Sequence, residues 1–255
     1  VKHMMDLFNF TLTYQQMLIM AFVGVFVGMA KTGIHGTGMA AVPLLAIVFG
    51  RRASSGIILP ILIFGDFMAV YHYHSYAQWK HLKRVLPFAF VGVLLGTYIG
   101  IFIDDGVFRQ VMAVIIFLSV GIMLWNDKQQ TQGTSQKLLF TAGLGIAGGF
   151  TTMVGNLAGS VMAIYLLSLN LLKNQFIGTA AWFFLIINLV KVPFHVYSWE
   201  TITWDSLFLD LLVLPFIAIG AFLGIQIVKR IPEQIYRRFI LAMTIIAALF
   251  MMFQS

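Results

Sequence analysis

Val85-Leu86-Pro87-Phe88-Ala89-Phe90-Val91-Gly92-Val93-Leu94-Leu95-Gly96 returns 128 positions later as Val213-Leu214-Pro215-Phe216-Ile217-Ala218-Ile219-Gly220-Ala221-Phe222-Leu223-Gly224, with the proline and both glycines in register. At the same offset Phe108-Arg109 faces Tyr236-Arg237. A match of this length marks a tandem duplication, the usual way a chain builds two structurally equivalent halves. Upstream the offset falls to about 120, so the halves have diverged most near their starts.

The repeated motif is apolar, and so is most of the chain. Of 255 residues, 60% are hydrophobic, while Lys and Arg number 16 and Asp and Glu 9. A soluble domain carries roughly 25% charged residues, and 10% cannot cover a water-facing surface of this size. The solvent is therefore lipid. Without cysteine the chain has no disulfide, thiolate zinc site, iron–sulfur cluster or cysteine nucleophile. The net charge of +7 is scattered between apolar runs, which excludes a nucleic-acid surface.

A helix needs about 20 apolar residues to cross the hydrocarbon core. Runs of that kind lie at 57–73, 85–103, 107–125, 176–197, 207–228 and 235–253. Two other stretches are interrupted. The run 14–30 meets Lys31-Thr32-Gly33-Ile34-His35-Gly36-Thr37-Gly38 before a short run at 39–49, and 138–150 meets Thr151-Thr152-Met153-Val154-Gly155-Asn156 before 157–169. The expected architecture is all-α, a polytopic membrane protein of two inverted repeats. Each repeat is a broken, re-entrant helix pair followed by three transmembrane helices. The expected divisions are 1–13 (an expression-tag remnant, Val1 to Met4, and an N-terminal tail), 14–127 (first repeat), 128–136 (linker) and 137–255 (second repeat).

Basic residues collect on the cytoplasmic side of a membrane, so their distribution discriminates between topologies. If each broken pair enters and leaves on one side, Lys80, Lys83, Arg84, Lys128, Lys137, Lys173, Lys229, Arg230, Arg237 and Arg238 share one face, against Lys2, Arg51, Arg52 and Arg109 on the other. If each pair crosses once, the split is eight against six. The first arrangement is the more asymmetric and predicts inverted repeats with both termini outside.

Unwound backbone at membrane depth exposes N–H and C=O groups that lipid cannot satisfy, so it must face protein or a water-filled cavity. Half-helices starting near Thr37 and near Asn156 would point free N–H groups and positive dipole ends inward, an arrangement suited to anions. Gly33, Gly36, Gly38 and Gly155 allow close backbone approach. Lys31 and His35 add charge, and Thr32, Thr37, Thr151, Thr152 and Asn156 add donors. Neither break holds a carboxylate. These residues form the expected binding set for a small anion between the two breaks.

Asp66 sits mid-span in an apolar run, where a carboxylate is costly unless paired or wet. Its counterpart in the second half is Asn188, with Lys191 one turn further along the same face. Asp66, Asn188 and Lys191 are the coupling or gating candidates. Gly92, Gly96, Gly220 and Gly224 read as helix-packing positions. His72, His74 and His195 read as interfacial residues, and no spacing suggests a metal site, a catalytic residue or a cofactor.

The stretch from Gly28 to Leu45, Gly28-Met29-Ala30-Lys31-Thr32-Gly33-Ile34-His35-Gly36-Thr37-Gly38-Met39-Ala40-Ala41-Val42-Pro43-Leu44-Leu45, resembles the opening signature of the TauE/SafE family of sulfite and organosulfonate exporters, also grouped with 4-toluene sulfonate uptake permease-like transporters. Ser55 to Pro60, Gly65-Asp66, Trp79 and the Leu86-Pro87 to Gly96 block extend the similarity over nearly the whole chain. The chain departs from the common pattern in having Gly36-Thr37-Gly38 where a triple glycine is usual. In the second half Gly155-Asn156-Leu157-Ala158-Gly159 is a thinner version of the motif. The resemblance implies two homologous halves and export of a small sulfur-containing anion such as sulfite, sulfoacetate or thiosulfate.

The resulting expectation is a secondary transporter in the bacterial inner membrane, with a small anionic substrate and the lipid bilayer as partners. Protons or another ion would drive it, no nucleic acid is involved, and a homo-oligomer is compatible. The chain has no G-x-x-x-x-G-K-[ST] motif for direct use of ATP. A passive anion channel could use the same half-helix dipoles. An intramembrane enzyme is the remaining rival, but neither His-Glu-x-x-His nor Gly-x-Ser-x-Gly occurs.

Overall fold

The computed structural model describes the backbone of residues 4–7, 10–34, 38, 41–49, 51–99, 102, 138–156 and 158–253. The expected span 107–125, the linker 128–136, and His35, Gly36 and Thr37 lie outside the described residues. A short antiparallel hairpin, β1 (Met4–Leu7) and β2 (Phe10–Thr13), precedes the helices. These are α1 (Tyr14–Lys31), α2 (Ala41–Phe49), α3 (Arg51–Tyr73), α4 (Trp79–Ile99), α5 (Leu138–Gly155), α6 (Ala158–Ser168), α7 (Lys173–Pro193), α8 (Trp204–Arg230) and α9 (Glu233–Phe253). Among the described residues six helical segments are long and apolar enough to cross a membrane: Tyr14–Lys31, Gly56–Tyr76, Trp79–Ile99, Leu138–Gly155, Lys173–Ser198 and Trp204–Arg230. The protein is an all-α polytopic membrane protein.

The helix that opens the apolar sequence is started by a capping box. Gln16 N–H donates to Thr13 Oγ1 at 3.4 Å and Thr13 N–H donates to Gln16 Oε1 at 2.8 Å, which satisfies two of the N-terminal amide donors. Its end is a Schellman motif: Gly33 N–H donates to Ala30 O at 3.3 Å and Ile34 N–H to Met29 O at 3.0 Å. Gly33 has a φ of 119°, which a Cβ would strain.

The second break is shorter than its sequence suggests. α5 continues through Thr151 and Thr152 to Gly155, and only then does Asn156 turn left-handed at φ 54°. The threonine does not unwind the helix because its hydroxyl donates back to the Gly148 carbonyl at 3.1 Å.

Two compact units are present. One contains residues 1–74 and 184–230, the other 75–183 and 231–255. Each unit takes helices from both halves of the sequence.

In the first unit α1 packs along α8. A Cβ on Gly28 would lie 2.2 Å from the Ile217 carbonyl oxygen, and one on Gly220 would lie 2.1 Å from that of Val25. Two backbones can come this close only through glycine. The apolar core beside this contact combines Met20, Val23 and Val27 with Ala41, Leu45, Ile57, Ile58, Ile61, Leu209, Val213 and Ile217.

In the second unit α4 and α5 repeat the arrangement. A Cβ on Gly149 would lie 1.9 Å from the Ala89 carbonyl oxygen, and one on Gly92 would lie 2.1 Å from that of Ile146. Gly24 meets Val213 and Phe216, while Gly145 meets Val85 and Phe88, the same residue types 128 positions apart. The motif that reveals the duplication is thus the surface on which each unit closes. Its glycines are packing residues, as their spacing implies.

Candidate functional site

The polar center of the first unit is built by three helices. The C-terminal end of α1 supplies Lys31, the middle of α3 supplies Asp66, and the last turns of α7 supply Asn188 and Lys191. Lys31 Nζ lies 2.8 Å from Asp66 Oδ1, and Asn188 Nδ2 donates to Asp66 Oδ2 at 2.7 Å. Lys191 Nζ donates to Asn188 Oδ1 at 3.3 Å. Asp66, Asn188 and Lys191 are fully buried, and the Lys31 side chain is only 12% exposed.

Local sequence explains how these groups converge. Asn188 and Lys191 are three residues apart, so they share one face of α7. Gly65 clears a path for the lysine stem: a Cβ there would lie 2.9 Å from Lys31 Cγ and 3.2 Å from Val27 Cγ1. The Lys31 ammonium also sits 4.4 Å from the centroid of the Phe184 ring, one turn before Asn188, in cation–π range. Both lysines lie in the last turn of a helix, where the negative end of the dipole favours a cation.

The cluster holds two lysines and one carboxylate. Burying an ion pair in a low-dielectric site is sustained only when further hydrogen bonds complete it, and Asn188 supplies these to both the carboxylate and Lys191. Among the described residues no three His, Asp or Glu side chains converge as metal ligands.

The remaining expected residues divide between the two breaks. Thr32 is fully buried, and its hydroxyl donates to the Gly28 carbonyl at 2.8 Å. It lies over Gly224, where a Cβ would come within 2.1 Å of Thr32 Oγ1. Gly33 N–H is used by the helix cap, and Gly38 is half-buried beside Ala30. In the second unit Thr151 and Thr152 are buried within α5, Gly155 is its last residue, and Asn156 N–H donates to the Thr152 carbonyl at 3.1 Å.

Three features went unread in the sequence. Phe184 is one of 24 phenylalanines and carried no distinguishing signal. Asp210 is 1% exposed on the packed face of α8, and neither carboxylate oxygen has a hydrogen-bond partner among the described residues. A lone acid in the run 207–228 was the available signal. His195, read as interfacial, is fully buried instead. A π-helical turn at Phe194–Ser198 ends α7, and the chain then folds Thr201 back onto the ring, with His195 Nδ1 and Thr201 Oγ1 2.8 Å apart.

The family model for the sulfite exporter TauE/SafE matches residues 19–251, nearly the whole chain. No curated protein and no solved structure matches it. A glycine-broken, twice-repeated helical sequence around a buried cluster of lysines and an aspartate, matched over nearly its whole length by one family model, places the chain in the TauE/SafE sulfite exporter family: it is a multi-pass membrane transporter of small sulfur-containing anions, not an enzyme.

Proposed function

We propose that the protein exports a small oxyanion of the sulfite, sulfoacetate or thiosulfate class across the bacterial inner membrane, and that Asp66 holds the place of this anion when the site is empty. The observation that carries this reading is a buried carboxylate, Asp66, paired with Lys31 and bonded to Asn188, on which a second lysine, the buried Lys191, also rests. An incoming oxyanion takes Lys31 from Asp66, with Lys191 beside it, and the donors expected at His35, Gly36, Thr37 and Gly38 complete its shell. Exchange of one anion for another keeps the buried charge balanced, which avoids the several kcal/mol cost of an isolated buried ion.

The test is counterflow of labelled sulfite, thiosulfate and sulfoacetate in proteoliposomes. Saturable exchange that is lost in both Lys31→Met and Lys191→Met supports the reading. Exchange that survives both substitutions removes the lysines from the site, and a steady single-channel conductance without saturation replaces the carrier with a channel.

A further inference from the structure

Asn188, Lys191 and His195 stand at positions i, i+3 and i+7 of one helical path and are all fully buried, so a single face of this apolar span carries three polar side chains into the protein. The first two turn toward Asp66. His195, one turn further along, is held at the connection that leads into α8 by its contact with Thr201.

That connection is shaped at some cost to hold one hydroxyl. The π turn is closed by Trp199 N–H donating to the Phe194 carbonyl at 2.9 Å, and Glu200 is left-handed at φ 50°, a conformation L residues avoid. Thr201 N–H then donates to the His195 carbonyl at 2.9 Å. The Thr201 backbone is seated on α3 at Gly56, where a Cβ would lie 1.8 Å from the Thr201 carbonyl oxygen.

The hydrogen bonds also select the tautomer. The Thr201 hydroxyl donates to the His195 carbonyl at 3.4 Å, so Nδ1–H is the donor in the 2.8 Å contact with Thr201 Oγ1. Nε2 keeps its lone pair and has no partner among the described residues, although the side chain is buried. A buried acceptor left unmade is destabilising unless something visits it. Lys191 lies one turn back along the same face, while α3 meets the connection through Gly56, which has no side chain. The solvent end of the path is Glu200, which is exposed.

We propose that this face of α7 is a proton path: Lys191 passes a proton to His195 Nε2, and the imidazolium releases it to water at the Glu200 turn, joining the Lys31–Asp66 pair to solvent and coupling anion movement to protons. Only N–H and O–H bonds break and form, and the gradient sets the direction. The proposal rests on the transport reading above and adds its coupling ion.

The experiment uses the full chain in proteoliposomes with labelled thiosulfate outside and a pH-sensitive dye inside. Wild type should show thiosulfate counterflow at equal pH and thiosulfate-dependent proton movement. His195→Gln and Thr201→Val should each keep counterflow within about twofold and lose proton movement by about tenfold or more. Proton movement retained in either folded variant overturns the path, and the conservative Thr201→Val decides the matter if His195→Gln does not fold. Wild-type counterflow without proton movement also overturns the path while leaving the transport reading intact, whereas absence of wild-type counterflow for the whole anion panel removes the transport reading itself.

Discussion

Asp66, in the first half of the sequence, and Asn188, in the second, are hydrogen-bonded to each other, Asn188 Nδ2 to Asp66 Oδ2 at 2.7 Å. Asp66→Asn leaves two buried lysines without a counter-charge. Breaking a buried pair in this way costs about 3 to 5 kcal/mol, which thermal unfolding in detergent will register. The exchanged variant Asp66→Asn/Asn188→Asp keeps the charge, and we expect it to regain most of that stability and a measurable part of the counterflow. No recovery in the double variant would show that the two positions are not interchangeable.

Gly65 tests whether the path of the Lys31 stem matters. In Gly65→Ala the new methyl meets Lys31 Cγ at 2.9 Å and Val27 Cγ1 at 3.2 Å, so the stem must move while the fold has room to adjust. The expected result is a folded protein whose apparent anion affinity falls by about 3- to 10-fold, equivalent to about 1 kcal/mol. An unchanged half-saturation concentration in counterflow would detach the ammonium position from binding.

Glycines in this protein should fall into two classes by what surrounds them. Gly28→Ala and Gly149→Ala drive a methyl into the Ile217 and Ala89 carbonyl oxygens, at 2.2 and 1.9 Å. Overpacking of this sort costs about 1 to 3 kcal/mol, and we expect a lower unfolding temperature for both. Gly143→Ala has nothing within 4 Å of the added methyl, and the gain in helix propensity, up to about 1 kcal/mol, should leave it neutral or slightly stabilised. Equal behaviour of the three variants would contradict the packing geometry.

Asp210 corresponds, at the 128-residue offset, to Leu82, which is fully buried and apolar. Asp210→Leu therefore installs the residue its own repeat already uses, and removes a carboxylate that has no hydrogen-bond partner among the described residues. A stabilisation of about 1 to 3 kcal/mol is expected. Counterflow measured on the same sample decides whether the acid is retained for function: stabilisation with lost transport assigns it a role, and stabilisation with full transport does not.

The sequence revealed the lipid solvent and the duplicated packing motif, because each is written in runs of side-chain type or in glycine spacing. It also singled out Asp66, Asn188, Lys191 and Lys31, since ionisable and amide groups in apolar helices are rare enough to stand out. It could not show that Lys31 and Asp66 would meet, because that depends on Gly65 giving way to the lysine stem. The Thr32 hydroxyl and the Gly33 N–H close the end of α1, a use that their hydrogen-bonding capacity alone does not disclose. His195 was misread for a related reason. Its burial comes from a π turn and a left-handed glutamate, and neither leaves a periodicity to read.

Because each compact unit is assembled from both halves, the order of synthesis works against early completion. Gly28 emerges from the ribosome long before the Ile217 backbone it is shaped to receive, and the groove along α1 must wait in the bilayer, open, until nearly the last span has been inserted. Neither half of the gene should therefore yield a stable product alone, while two separately expressed halves should complement one another by closing each other's grooves. Premature truncation anywhere before Arg230 leaves exposed glycine seams in the membrane, the kind of surface that quality-control proteases recognise, so nonsense variants late in the reading frame should be cleared as thoroughly as early ones.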